Sequence, residues 1–570
     1  MLRSKTAATV LLLALAAMAG PAAAQEADLL LHDARAWTGD SARPWAEAIA
    51  VAGDRFVAVG DSARVFAHRG AATRVLDLDG RFVAPGFIDS HTHFERAGAL
   101  LLGVNLLDVS DADALAERVR EARDRLPEGA WIVGGDWGAY EAWERGSAGG
   151  GEAADPAVFS PHRGMIDSLT PATPALLSRW DRSAWLANGA ALEAAGLSCG
   201  DEGVECEGGR PTGRLSPAAA ARAREAVPPK PLERRLAESR AALRRLAERG
   251  VTTIHDITGE EQLEVFQRLR DAGELTVRVY ARPTLDEVER LAALGIRHGF
   301  GDEWIRIGGL KGFVDGIMGN SSARFYEPYR TTGERGRWRD MMEPPGNMER
   351  LLFLADSTGH SPQVHAIGDE AIDTLLTLYA NVMRENPPRE RRFRVIHAQV
   401  LRGPGVADRM AELGVIAEMQ PYHAIDDMRW MEERIGERAR WAYAFRTLHE
   451  AGVLLSFGSD WPGTNASWYP ASPVLGIYAA VTRRTVDGEP EGGWVPEERI
   501  GVEAALRAYT VNNAFAAREE AIKGRIAPGL VADLVVLDRS PFEVAPGELK
   551  DLVVERTIVG GHTVFARGAK

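Results

Sequence analysis

Ala84-Pro85-Gly86-Phe87-Ile88-Asp89-Ser90-His91-Thr92-His93 is the stretch on which the fold turns. It carries an apolar run, Phe82 to Asp89, into a His-x-His pair. Alternate side chains of a strand share a face, so two imidazoles at a strand end can reach one metal ion. A lone strand-end histidine is more often a hydrogen-bonded core or rim residue than a ligand. The pair gains its meaning from what repeats downstream.

Seven further short apolar runs follow: Val251 to Ile257, Thr276 to Ala281, Trp304 to Lys311, Pro362 to Ile367, Arg392 to Ala398, Val415 to Gln420 and Val453 to Ser459. Helical patterns lie between most of them, at Glu260 to Ala272, Asn347 to Ser357, Glu370 to Arg384, Gly405 to Leu413 and Glu432 to Ala451. Strand–helix alternation repeated eight times predicts an α/β fold, a (β/α)8 TIM barrel, over residues 82–519. The long first interval predicts a large insertion after barrel strand 1, about 95–229, with Gly-rich loops around Gly146 to Gly151. A helix from Pro231 to Arg249 would lead into run two. Both ends are β-rich: Ala27 to Ala36, Ala48 to Val59 and Ala72 to Leu78 at one, Ala532 to Leu537, Val553 to Val559 and His562 to Ala566 at the other. They predict a small β-sandwich domain formed by both termini, residues 25–81 with 520–570.

Active sites of such barrels are built at the C-terminal ends of the strands. Run four leads into Gly309-Leu310-Lys311-Gly312-Phe313-Val314-Asp315-Gly316, run five into His365-Ala366-Ile367-Gly368-Asp369, run six into His397-Ala398-Gln399, and run eight into Gly458-Ser459-Asp460-Trp461-Pro462. A single Asp there is ordinarily a turn former, and a single Lys ordinarily reaches solvent or pairs with an acid. His91, His93, Lys311, His365, His397 and Asp460 in order at one barrel mouth form a joint pattern that a catalytic site explains better. Weaker candidates surround them. His255 and Asp256 end run two and could line the mouth or serve structure. Asp315 could orient Lys311 or a loop. Trp137, Trp180, Trp461, Tyr422 and His423 could wall a substrate pocket, although aromatics commonly just pack.

The whole chain sets outer bounds. Its 570 residues are 45% hydrophobic and 26% charged, the composition of a soluble globular protein. A formal charge of −14 argues against a nucleic-acid partner, which needs a basic face. Arg3 and Lys5, the apolar run Ala7 to Met18 and then Pro21-Ala22-Ala23-Ala24-Gln25 predict a signal peptide over 1–24 and a periplasmic or secreted location. That run is short for a membrane span, and no later stretch reads as one. Cys199 and Cys206 share a Gly- and acid-rich loop; they are a poor zinc site and could form a local disulfide in an oxidising compartment.

Together these motifs resemble the amidohydrolase superfamily, in particular its amidohydrolase-3 (YtcJ-like) branch, and are similar to N-substituted formamide deformylases. The marks are Ala84 to His93, Lys311 to Gly316 with Ser322-Ala323 and Pro328-Tyr329, His365 to Asp369, His397 to Gln399, Gln420-Pro421, Gly458 to Pro462, Ala527-Pro528-Gly529 and Ala532-Asp533-Leu534. They span nearly the whole mature chain. The resemblance implies that His91, His93 and Asp460 bind the more buried of two divalent metals, and that His365 and His397 bind the other. Lys311 would bridge them as a carbamate derived from CO2, because an ammonium has no lone pair. Zinc suits such ligands best; iron, manganese and nickel also fit. The implied reaction is cleavage of a non-peptide C–N (amide-type) bond of a small-molecule substrate by metal-activated hydroxide, with Asp460 as proton shuttle. A lactonase, esterase or cyclic-amide hydrolase on the same metals is the alternative. A non-catalytic small-molecule-binding protein is the other class, and the intact Asp460 speaks against it. Arg179-Trp180-Asp181-Arg182-Ser183 departs from the branch, where a His often stands at Arg182; an arginine there could hold an anionic group. The insertion would shape the pocket and could carry homodimer contacts.

Overall fold

In the computed structural model, residues 25–127, 129–138, 159–180, 182–463 and 471–568 are described. The expected leader 1–24, the loops around Gly146 to Gly151, and Asp181 lie outside them.

The run Phe82 to Asp89 is two strands. Phe82–Pro85 joins a six-stranded sheet, antiparallel to Leu534–Leu537 and parallel to Arg35–Trp37. Phe87–Thr92 instead pairs in parallel with Val251–Ile257. The change of partner falls at Gly86, where a Cβ would lie 2.2 Å from Thr252 Oγ1. Only glycine lets the backbone pass so close. Alternation could not reveal the break, because every residue of both strands is buried.

From Phe87–Thr92 the parallel order continues through Val251–Ile257 and Arg278–Arg282 to Ile305–Ile307. A second sheet holds Leu310–Phe313, Pro362–Ala366, Arg394–His397, Ile416–Met419 and Leu455–Phe457, again all parallel. Bridges close the two sheets on one another at both edges, Thr284 with Lys311 and Thr92 with Trp461. At the second edge Asp460 N–H donates to His91 O and His93 N–H to Trp461 O, each at 2.8 Å. The run Trp304 to Lys311 is also divided. Gly308 and Gly309 press against the Tyr280 ring and the Gln363 side chain, with room for no Cβ (2.2 and 2.0 Å).

Helices Glu260–Asp271, Asn347–Ser357, Asp369–Glu385 and Pro404–Glu412 follow their strands as the pattern predicts. The expected helix Glu432 to Ala451 is broken into Met431–Ile435, a 3-10 segment Gly436–Trp441 and Phe445–Glu450. Gly436 (φ 60°) and Tyr443 (φ 53°) stand in the left-handed region and interrupt it. Tyr443 is held there by its hydroxyl, which donates to the buried Asp427 at 2.5 Å.

The chain ends meet. A four-stranded sheet, Ala27–His32, Ala48–Ala52, Arg55–Gly60 and Arg69–Asp77, shares an apolar cluster with the six-stranded one, through Leu29, Ile49, Val51, Val83, Leu534 and Ile558. The buried pair Arg278–Asp533 (2.7 Å) ties the parallel strands to this region. Between the first two parallel strands lies a separate five-stranded sheet, from Ile132–Trp137 to Arg210–Leu215, with its own apolar clusters. Cys206, in that sheet's edge strand Val204–Glu207, is disulfide-bonded to Cys199. Among the described residues no helix is long and apolar enough to cross a membrane.

Candidate metal centre

The ends of the parallel strands bring the sequence-predicted residues together around Asp460. His93 Nε2 lies 2.9 Å and His91 Nε2 3.5 Å from Asp460 Oδ1. His91, His397 and Asp460 each offer a ligand atom within 4.8 Å of the others. The His397 ring lies 5.3 Å from that of His91 and 4.6 Å from that of His365, centre to centre. His365 Nε2–H donates to Gly316 O (2.8 Å), and the same nitrogen lies 3.4 Å from Asp315 Oδ1. Lys311 is fully buried beside them, and its Nζ has no hydrogen-bond partner among the described residues. Asp460 (φ 58°), His397 (φ 74°) and Ala398 (φ 43°) all adopt left-handed backbone, a cost that clusters at functional sites.

Electrostatics leave this set rich in lone pairs. Burial lowers His91 and His397 well below the ordinary histidine value, and the Lys311 charge (for His397 first that of His365) acts in the same direction. His93 is lowered too, again chiefly by burial. Burial, aided by the Arg282 guanidinium, brings the Lys311 amine down to about 7. Burial alone would raise the Asp460 carboxyl. The facing His91 and the hydrogen bond from His93 outweigh it and hold Asp460 well below the usual carboxylate range. The neutral imidazoles of His91, His93 and His397, an ionised carboxylate and a buried amine without a hydrogen-bond partner among the described residues fit a divalent cation of zinc type.

Residues to which the sequence reading gave no role support this cluster from behind. His91 Nδ1–H donates to Glu418 Oε1 (2.8 Å), and Glu418 also accepts from Arg282 and Arg394, each at 2.8 Å. Despite burial, those two arginines and His91 keep Glu418 well below the carboxylate range. Gln420 Oε1 meets His397 Nδ1 at 2.7 Å. Asp89 accepts from Ser459 N (2.8 Å), Ser459 Oγ (2.5 Å) and His91 N (3.1 Å), clasping the first strand to the last. The available signal was charge inside strands: Glu418, Arg282 and Arg394 stand where apolar residues otherwise run.

The weaker candidates divide. His255 is not among the residues that line the cavity at this centre; its ring lies 4.6 Å from that of Tyr280 and its Nδ1 accepts from Arg394 (3.1 Å). Asp256 accepts from Thr92 Oγ1 (2.9 Å) and Phe94 N (2.8 Å), so it fastens the first strand's exit. Trp461 is buried in a cluster with Phe94, Val251 and Ile254, and Trp137 in another with Leu106 and Ile132; both are packing residues rather than pocket walls. Tyr422 packs, partly buried, on the main core. His423 does approach, its Nε2 3.9 Å from Asp460 Oδ2. Asp315 does not touch Lys311 by hydrogen bond: its carboxylate accepts from Ile367 N (3.0 Å), Gly368 N (2.9 Å) and Arg324 N (2.8 Å), joining three loop positions. A cavity of about 1000 Å³ opens onto His91, His93, Lys311, His365, His397 and Asp460, and Trp180 and Arg182 line it as well. The Arg182 guanidinium donates to Asp136 and Ser178, so its charge already faces a carboxylate.

Comparison with known proteins agrees with this geometry. The model of the Amidohydrolase family matches residues 74–565. The chain is 33% identical to Protein LONG AFTER FAR-RED 3 of Arabidopsis thaliana, over 96% of this chain and 93% of that one. It is 28% identical to the N-substituted formamide deformylase of Arthrobacter pascens, over 95% and 99%. Among solved structures, an uncharacterized metal-dependent hydrolase from Pyrococcus furiosus superposes with a TM-score of 0.71 at 26% identity, covering 90% of this chain and all of that one (100%). The chain belongs to the amidohydrolase family and is a hydrolase.

Proposed function

We propose that this chain is a periplasmic or secreted, divalent-metal-dependent hydrolase of a non-peptide C–N bond of amide type. The observation that carries the reading is the convergence of His91, His93 and His397 on Asp460, beside a buried lysine whose Nζ has no hydrogen-bond partner among the described residues. The two parallel sheets, bridged at both edges, form in this reading a (β/α)8 barrel that starts at Phe87 rather than Phe82. The terminal sheets form its β-sandwich companion, and the five-stranded sheet is the insertion.

His91, His93 and Asp460 would hold one cation, His365 and His397 a second, and Lys311, as a carbamate, would bridge them. Zinc is the metal of choice, two per chain. The cations would supply Lewis-acid polarisation of the scissile carbonyl and acidify a water. Asp460, ionised and fixed by His93, takes the proton of the attacking water and delivers it to the departing nitrogen. An amine leaves poorly until protonated, so one carboxylate serves both half-steps. Glu418 holds His91 in the tautomer that presents Nε2 toward Asp460.

The test is a matched panel of amides, cyclic amides, lactones and esters, given to the zinc-loaded chain and to Asp460→Asn. We expect the highest kcat/KM on amides, loss on chelation with recovery on adding zinc, and a fall in kcat of about 10²–10⁴-fold in the variant. Turnover confined to esters and lactones, or unaffected by the substitution, overturns the assignment.

A further inference from the structure

We infer that Arg337 and Arg339 form an anion-accepting wall of the cavity and that the substrate carries a carboxylate close to its scissile bond. The inference rests on the hydrolase reading above and names its substrate class. Both arginines line the same cavity as Lys311 and Asp460. They sit two apart on an extended segment (Arg339 φ −90°, ψ 165°), so their side chains share a face. Trp338 between them turns the other way, packing on the main core with the Arg324 guanidinium 5.3 Å from its ring centre.

The backbone fixes this segment to the strand that carries Lys311. Arg339 N–H donates to Val314 O (2.9 Å), Arg337 N–H to Ser322 O (3.0 Å), and Trp338 bridges Asp315. Gly336 (φ 76°) lies so near Ala323 O that a Cβ would come within 1.9 Å of it. The backbone at both arginines is therefore placed by structure, and both side chains are exposed. A single ring, Phe313, separates one of them from the centre: its centroid is 5.9 Å from Arg339 Cζ and 4.9 Å from Lys311 Nζ.

Charge bookkeeping distinguishes these arginines from their neighbours. Arg324 and Arg335 are both paired with Glu370, and Arg182 with Asp136. Arg337 and Arg339 make no ion pair among the described residues. Asp315 is occupied by three backbone N–H groups. Asp315, Glu334 and Asp460 are the acids of the cavity lining, and none of them is ion-paired with Arg337 or Arg339 among the described residues. Two guanidiniums in tandem match a carboxylate in both charge and fork geometry.

The test compares N-benzoylglycine with N-benzoylglycinamide, which share one scissile amide and differ in charge. The metal-loaded chain and the variants Arg337→Gln, Arg339→Gln and the double substitution are each assayed for kcat/KM. Binding is read separately by tryptophan fluorescence, since Trp180 lines the cavity. We expect the wild type to favour the carboxylate about 10–100-fold, less at high salt, and the ratio to approach one in the double variant. A carboxylate that binds preferentially, with loss of that preference in the double variant, upholds the wall even if neither amide is hydrolysed; in that case only the amidase reading falls. Equal binding and equal turnover of both compounds, or a carboxylate preference that survives the double substitution, overturns the inference.

Discussion

Replacing Lys311 by Met tests the electrostatics of the centre without any substrate. In the metal-free chain, in CO2-free buffer, burial first and the Arg282 charge second bring this amine from 10.5 down to about 7. Between those two values the unfolded chain keeps the proton and the folded chain does not. Stability of the wild type therefore rises with pH across that window, by about 1.4 kcal/mol per unit. Below pH 7 the full cost is present, up to about 5 kcal/mol relative to pH above 10.5. Methionine has similar volume and no charge, so Lys311→Met lacks this slope. Urea unfolding of both chains from pH 6.5 to 9.5 reads the difference. The variant is expected to be the more stable near neutrality, with its advantage shrinking by roughly 3 kcal/mol by pH 9.5. An advantage that does not change with pH would refute a neutral buried amine and, with it, the ready route to a carbamate.

Other substitutions probe the support of the site and the fold. Glu418→Leu leaves Arg282 and Arg394 buried without their shared carboxylate, and is expected to cost about 3–5 kcal/mol in unfolding free energy. The milder Glu418→Gln keeps an acceptor for His91 and should weaken zinc affinity about 10–100-fold, read by competition with a chromophoric chelator. Gly86→Val places side-chain atoms against Thr252 where the chain leaves the terminal sheet, and should lower the melting temperature measurably while Gly53→Ala, in open space but at φ 58°, does so less.

Much of this architecture could be read from the chain because strand–helix alternation is a local property. Asn347–Ser357 and His562–Ala566 match the reading residue for residue, since their patterns are bounded by turn-forming neighbours. The failures are non-local. The breaks at Gly86 and at Gly308-Gly309 depend on Thr252, Tyr280 and Gln363 approaching from elsewhere, which no window of sequence contains. The helix expected over Glu432 to Ala451 has the right period but is interrupted where Gly436 and Tyr443 take positive φ. The strand-end motifs named His91, His93, Lys311, His365, His397 and Asp460, and the fold brings all six to one cavity. Glu418, Asp89 and Gln420 escaped because their roles are defined only by partners on other strands. His255 and Trp461 were placed near the chemistry by position along the chain, whereas the direction of each side chain put them in the interior.

Metal content per chain, by elemental analysis after zinc repletion, tests the central claim most directly, on the wild type and on Lys311→Ala. The account predicts two equivalents in the wild type and a clear reduction in the variant. No bound metal in the repleted wild type would contradict it.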